Sequence, residues 1–166
     1  VRNGTTAGNA IYANQTGVNP VVLNGAITKP IVGDATLNLG GSNTADNVIN
    51  VGIPSLGTGG ILKVGSGTWV MAAQNSYTGA TNIVNGTLKL KANAATSTIL
   101  AATNDITFGN SNVFSGGTFE FVGQDGVNNV QMLDVLTTSS GANTVKLTPG
   151  VAGTASLTFA SQSTGG

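Results

Sequence analysis

Five short blocks recur along the chain with one alternation and nearly one spacing, and this recurrence limits the fold more than any other feature. Ala35-Thr36-Leu37-Asn38-Leu39, Gly60-Ile61-Leu62-Lys63-Val64, Gly86-Thr87-Leu88-Lys89-Leu90, Gly117-Thr118-Phe119-Glu120-Phe121 and Asn143-Thr144-Val145-Lys146-Leu147 open on a small or polar residue and continue apolar, polar, apolar. Period two is the mark of a strand with one buried face. The offsets of about 25, 26, 31 and 26 residues suit one coil of a stacked repeat. The alignment predicts two inward columns, Leu62, Leu88, Phe119, Val145 and Val64, Leu90, Phe121, Leu147. It also predicts an outward column of Asn38, Lys63, Lys89, Glu120 and Lys146, with Glu120 between two lysines and Lys63 against Lys89.

Further alternating stretches lie between these blocks: Val48 to Val51, Thr81 to Ile83, Ile106 to Phe108, Val130 to Met132 and Leu157 to Phe159. They predict a second and a third face. The fold class expected is all-β, a right-handed parallel β-helix (β-solenoid). An antiparallel sandwich is the rival, since it too has strands at short, regular intervals. Repeats one coil apart are unneeded in a sandwich. The hairpin dipeptides Asn3-Gly4, Asn24-Gly25 and Asn85-Gly86 also do not consistently separate adjacent strands by two residues. Asn85-Gly86 is read as a solenoid corner.

Composition agrees. Charged residues are 7% of the chain, against a usual share of roughly 25%. Asn, Thr, Ser and Gln solubilise the surface instead, and the 25 Gly fall at the ends of apolar runs, where turns need them. Disordered chains lack such recurring Val, Ile, Leu and Phe. With no Cys and no His there are no disulfides, thiolates or imidazole ligands, so stability has to come from burial and backbone pairing. The formal net charge is +0 and the six basic residues are scattered, which argues against nucleic acid. No stretch is long enough for a membrane helix. Residues 1–166 are expected to form one solenoid domain, with 1–58 following the pattern less closely. A chain opening on Val1 reads as an excised or mature fragment.

The stretch Gly60-Ile-Leu-Lys-Val-Gly-Ser-Gly-Thr-Trp-Val-Met71, followed by Asn75-Ser-Tyr-Thr-Gly-Ala-Thr-Asn-Ile-Val-Asn-Gly-Thr-Leu-Lys-Leu90, resembles the autotransporter-associated β-strand repeat, or passenger-associated transport repeat. Asn75-x-Tyr77-Thr78-Gly79 is its most specific part. Lys91 to Ala95, Gly116 to Phe121, Thr144 to Thr148 and Ser156 to Phe159 resemble its continuation, so the likeness covers about residues 60–160. Ala80 replaces the family's usual second Gly. The resemblance implies a parallel β-helix in the passenger of a secreted or surface-displayed bacterial protein, with roles in secretion and adhesion.

Chemistry has little to work with. Asp34, Asp46, Asp105, Glu120, Asp125 and Asp134 are isolated from one another, which disfavours calcium loops. A glycosidase needs only two carboxylates at the right separation, so Glu120 with Asp105 or Asp134 stays open on composition. Asp125-Gly126 reads as a turn. No enzyme activity, cofactor or metal is expected. Trp69 is a candidate for stacking on a sugar, though its alternation with Met71 equally suits the core; Tyr77 suits a packed corner. The repeat lengthens to 31 residues across 91–104, so Asn93 to Leu100 are expected to bulge and offer a ligand-facing protrusion. The expected function is an extracellular structural stalk serving adhesion, its partners a glycan, a host or neighbouring cell surface, or itself through the solenoid ends. The alternatives are a self-assembling fibre module and a carbohydrate-active enzyme.

Overall fold

The structure is a computed structural model that describes residues 9–28, 33–93, 98–109, 116–139 and 141–165. Its regular elements are strands: β1 (Asn9–Gln15), β2 (Val22–Leu23), β3 (Ala35–Gly41), β4 (Asp46–Ile49), β5 (Ile61–Lys63), β6 (Thr68–Met71), β7 (Thr81–Ile83), β8 (Gly86–Lys91), β9 (Ile106–Phe108), β10 (Gly117–Val122), β11 (Asn128–Thr138), β12 (Thr144–Thr148) and β13 (Thr154–Thr164). The odd-numbered strands form one sheet in chain order and the even-numbered strands a second. Every pairing is parallel. Successive strands therefore never pair with each other; each turn of the chain adds one strand to each sheet. This is a parallel β-solenoid and not a sandwich of hairpins.

Part of the predicted register holds. Leu88, Phe119 and Val145 stand opposite one another on β8, β10 and β12, as do Leu90, Phe121 and Leu147. The blocks at 35–39 and 60–64 are a correction, because they lie in the other sheet. Trp69 and Met71 of β6, not Leu62 and Val64, continue the two inward columns beneath Leu88 and Leu90. The cause is one short coil. Ile61 pairs with Thr81 and Thr68 with Thr87, so matching Gly60 to Gly86 steps a whole face too far. It also slips the parity by one residue, which turns every side chain over. Ile61 and Lys63 face inward, at 1% and 0% exposure, while Leu62 is half-buried on the outer face.

A third side closes the cross-section. It runs through Ile53 and Leu56, then Asn75 and Tyr77, then Ile99, Leu100 and Asn104, all buried. The first half of β11 completes it, pairing with β13 as far as Leu133, after which the ladder skips Asp134 and resumes at Val135. The long β11 thus turns the corner from the third side into the odd-numbered sheet. Buried Asn and Gln satisfy the backbone where the coils bend. Asn47 spans three coils by accepting from the Val21 N–H (3.0 Å) and donating to the Thr68 carbonyl (2.7 Å). Gln131 accepts from the Ile99 N–H at 2.8 Å and donates to the Leu100 carbonyl at 2.8 Å. Unpaired backbone groups in a dry interior would otherwise cost about 1–3 kcal/mol each.

Candidate interaction surface

A motif such as Asn75-x-Tyr77-Thr78-Gly79 marks either a binding site or a structural joint. Asn75 is buried; its Oδ1 accepts from the Ile53 N–H (2.8 Å), and its Nδ2 donates to the carbonyls of Ala73 (2.8 Å) and Ile99 (3.0 Å). It therefore ties its own coil to those below and above. Tyr77 is fully buried with its hydroxyl 2.8 Å from Thr81 Oγ1, and burial raises its pKa. At Gly79 an added Cβ would lie 2.1 Å from the Gly59 carbonyl oxygen, a clash with backbone that cannot move aside. Thr78 is exposed, while Asn75, Tyr77 and Gly79 are thus consumed by the packing of the coils.

The same holds for the residues expected to meet a ligand. Trp69 lies in the core at 1% exposure, and its indole N–H crosses the interior to the Gly40 carbonyl at 2.9 Å. Reaching its ring would mean opening the solenoid. Leu100 is fully buried, and Asn93 donates to the Ala72 carbonyl at 2.7 Å. Residues 94–97 of the expected protrusion lie outside the described residues. The described part, from Ile99 onward, folds back onto the core because Ile99 and Leu100 are the apolar residues that fill this coil's third side.

Lys63 is the feature that sequence reasoning placed on the wrong face. Its ammonium sits at the corner between β5 and β8, donating to the carbonyls of Val64 (2.9 Å), Gly65 (2.7 Å) and Asn85 (3.0 Å). Burial lowers its pKa to about 8. Gly86, at φ +70°, makes the corner possible; a Cβ there would lie 2.7 Å from Lys63 Nζ. Its register partners are Leu39 and Ile83, so the expected contact with Lys89 does not exist.

The outer face of the even-numbered sheet carries an organised row of charges, exposed at Asp46 and Lys146 and buried at Glu120 between them. Glu120 is opposite Lys89 on one side and Lys146 on the other, as the alignment predicts. Lys146 Nζ is 2.8 Å from Glu120 Oε1 and Lys89 Nζ is 4.0 Å from Oε2. Lys89 also reaches Asp46 on β4 at 2.8 Å, passing over β6. Val70 of β6 faces outward in that path, yet it is 2% exposed, as expected where a lysine stem lies across an apolar residue. Burial alone would raise the Glu120 carboxyl. Hydrogen bonds from Lys146 and Thr148, with the charges of Lys146 and Lys89, outweigh it and hold the carboxyl below its ordinary value. Such a carboxylate is a poor general acid at neutral pH. Asp105, its suggested partner, is at the other sheet, its Oδ1 accepting from the Val135 N–H at 3.1 Å.

Among the described residues no group of three or more acidic side chains converges on a metal-sized space, and no helix is long and apolar enough to cross a membrane. Residues 61–90 match the family model of the passenger-associated-transport-repeat. The adhesin BmaC autotransporter of Brucella suis biovar 1 (strain 1330) is 36% identical to the chain over 88 residues, covering 49% of this chain. The chain spans 3% of that relative's length. No solved structure gives a significant match.

Proposed function

We propose, from the passenger-associated transport repeat carried by residues 61–90, that this chain is a segment of the solenoid passenger of an autotransporter-type adhesin, displayed outside the cell. Its role there is that of a non-enzymatic stalk that holds adhesive parts away from the membrane. The observation that carries the reading is the use of the repeat's own signature in the stack: Asn75 and Gly79 in bonds and close contacts between coils, and Tyr77 as a fully buried ring. Side chains committed to stacking build length and stiffness, and they leave little for recognition. The relative's description as an adhesin supports the setting.

Grafting the chain into the passenger of an unrelated autotransporter tests this. Intact cells should then label with an antibody against the chain and lose that label to external protease. Retention of the chain inside the cell would count against a passenger role. Beads coated with the purified chain should adhere weakly or not at all to cells and glycans; strong adhesion would replace the stalk with a binding module.

A further inference from the structure

We infer that the Asn85-Gly86 corner is a site of spontaneous covalent change, which converts position 85 to aspartate or isoaspartate with help from Lys63. The Gly86 N–H donates to Asn85 Oδ1 at 2.7 Å, so the nitrogen that would attack already lies against the side-chain amide. Gly86 has φ +70° and no side chain to shield that nitrogen. Lys63 Nζ donates to the Asn85 carbonyl oxygen at 3.0 Å, and that oxygen belongs to the peptide unit whose N–H has to ionise. With its pKa at about 8, Lys63 carries its proton at neutral pH.

Loss of the Gly86 amide proton to a solvent base leaves negative charge shared between the nitrogen and the Asn85 carbonyl oxygen. The Lys63 ammonium is already bonded to that oxygen, and the bond strengthens as the charge builds, which favours the ionised peptide over its resting form. The nitrogen then attacks Asn85 Cγ: the N–Cγ bond forms, the Cγ–Nδ2 bond breaks, and Nδ2 leaves as ammonia with a proton taken from water. Water opens the cyclic imide at either carbonyl. Opening at Cγ gives aspartate; opening at the main-chain carbon gives isoaspartate, whose chain is longer by one methylene. Asn85 and Gly86 are both half-buried, so water reaches the corner. Either product puts a carboxylate at the corner where the Lys63 ammonium is buried, between β7 and β8. Other asparagines lack this combination. Asn75 is buried with its Nδ2 held by the carbonyls of Ala73 and Ile99, and Ser76 follows it. Asn24 does precede a glycine, but it is exposed, its Oδ1 accepts from Asn50, and among the described residues no ammonium is bonded to its carbonyl.

The intact chain, incubated at neutral pH in heavy-oxygen water, is digested and read by mass spectrometry at Asn85 and at Asn24, the internal reference. In the folded chain Asn85 should convert faster relative to Asn24 than it does in urea, where the corner is lost. Lys63→Met, verified as folded by circular dichroism, should slow Asn85 about tenfold, the low end of what a hydrogen bond to a charged group is worth. Asn24 should be unaffected, and in urea the variant and the parent chain should convert alike. A native ratio of Asn85 to Asn24 conversion at or below the urea ratio overturns the proposal without need of a variant. So does a folded Lys63→Met chain whose Asn85 converts at the parent rate, which would leave an ordinary Asn-Gly pair.

Discussion

A lysine buried among carbonyls makes the stability of this solenoid depend on pH in an unusual direction. Lys63 is 0% exposed and its pKa is lowered to about 8 from 10.5 by burial. In the unfolded chain the amine keeps its proton to near 10.5, while in the fold it releases it near 8. Between those values the unfolded state binds more protons, so stability rises with pH. Below about pH 8 the fold carries the full cost of a buried ammonium. Tyr77 sets the upper limit with the opposite sign: its pKa is raised by burial, so the unfolded chain alone ionises above about 10 and stability falls there. The rise is confined to the window from pH 8 to 10. At about 1.4 kcal/mol per unit it is worth at most about 3 kcal/mol. That is a ceiling, because the carbonyls of Val64, Gly65 and Asn85 favour the charged form. Urea denaturation at pH 7, 8, 9 and 10 reads the effect, with Lys63→Met as the comparison. The variant has no titrating group at the corner, so its stability should stay flat across the window. Its absolute stability is not diagnostic, since removing the charge relieves desolvation but leaves carbonyls orphaned. A wild-type chain with no rise, or a variant that rises equally, refutes the assignment of a titrating Lys63 to this corner.

Three further outcomes follow from the packing. Phe119→Ala should destabilise the chain by roughly 3–5 kcal/mol in urea titrations, since the ring is fully buried and meets Phe159 at a centroid distance of 6.4 Å; a loss under about 1 kcal/mol would mean this column is not core. Asn75→Ala should cost about 1–3 kcal/mol by orphaning the buried Ile53 N–H on the neighbouring coil, the Ile99 carbonyl keeping the bond from the backbone N–H of residue 75, while a neutral result would separate the repeat signature from stacking. Trp69 is the single tryptophan, so fluorescence reads it directly. Its emission should be blue-shifted and insensitive to iodide, and a red-shifted, quenchable signal would put the ring at the surface.

The solenoid was legible because its signal is local and repeated. Period-two alternation marks a strand wherever it occurs, and the 31- and 26-residue steps from Gly86 to Gly117 and from Thr118 to Thr144 are true coil lengths. The ladder of Lys89, Glu120 and Lys146 follows from those steps alone. Asn85-Gly86 is a corner, as expected: Gly86 has φ +70° and opens β8, in the other sheet from β7. Asp125-Gly126 likewise forms a turn, with Gly126 at φ +70°.

Coil closure was the part that pattern could not carry. Apolar–polar–apolar reads alike on either sheet, so nothing in Ile61-Leu62-Lys63 distinguishes the odd-numbered face from the even-numbered one. Only pairing with Leu37 and Thr81 on either side of Ile61 does so. The outcome turns on the length of one coil, and that length depends on how far the third side extends between corners. Once parity is set by the neighbours, Lys63 goes inward because its strand must keep Ile61 inward, and the corner carbonyls make that position tolerable for an ammonium. Trp69 takes the core for the same reason. Its sequence neighbours leave it free to be a sugar platform or a buried spacer, and the register beneath Leu88 makes it the spacer.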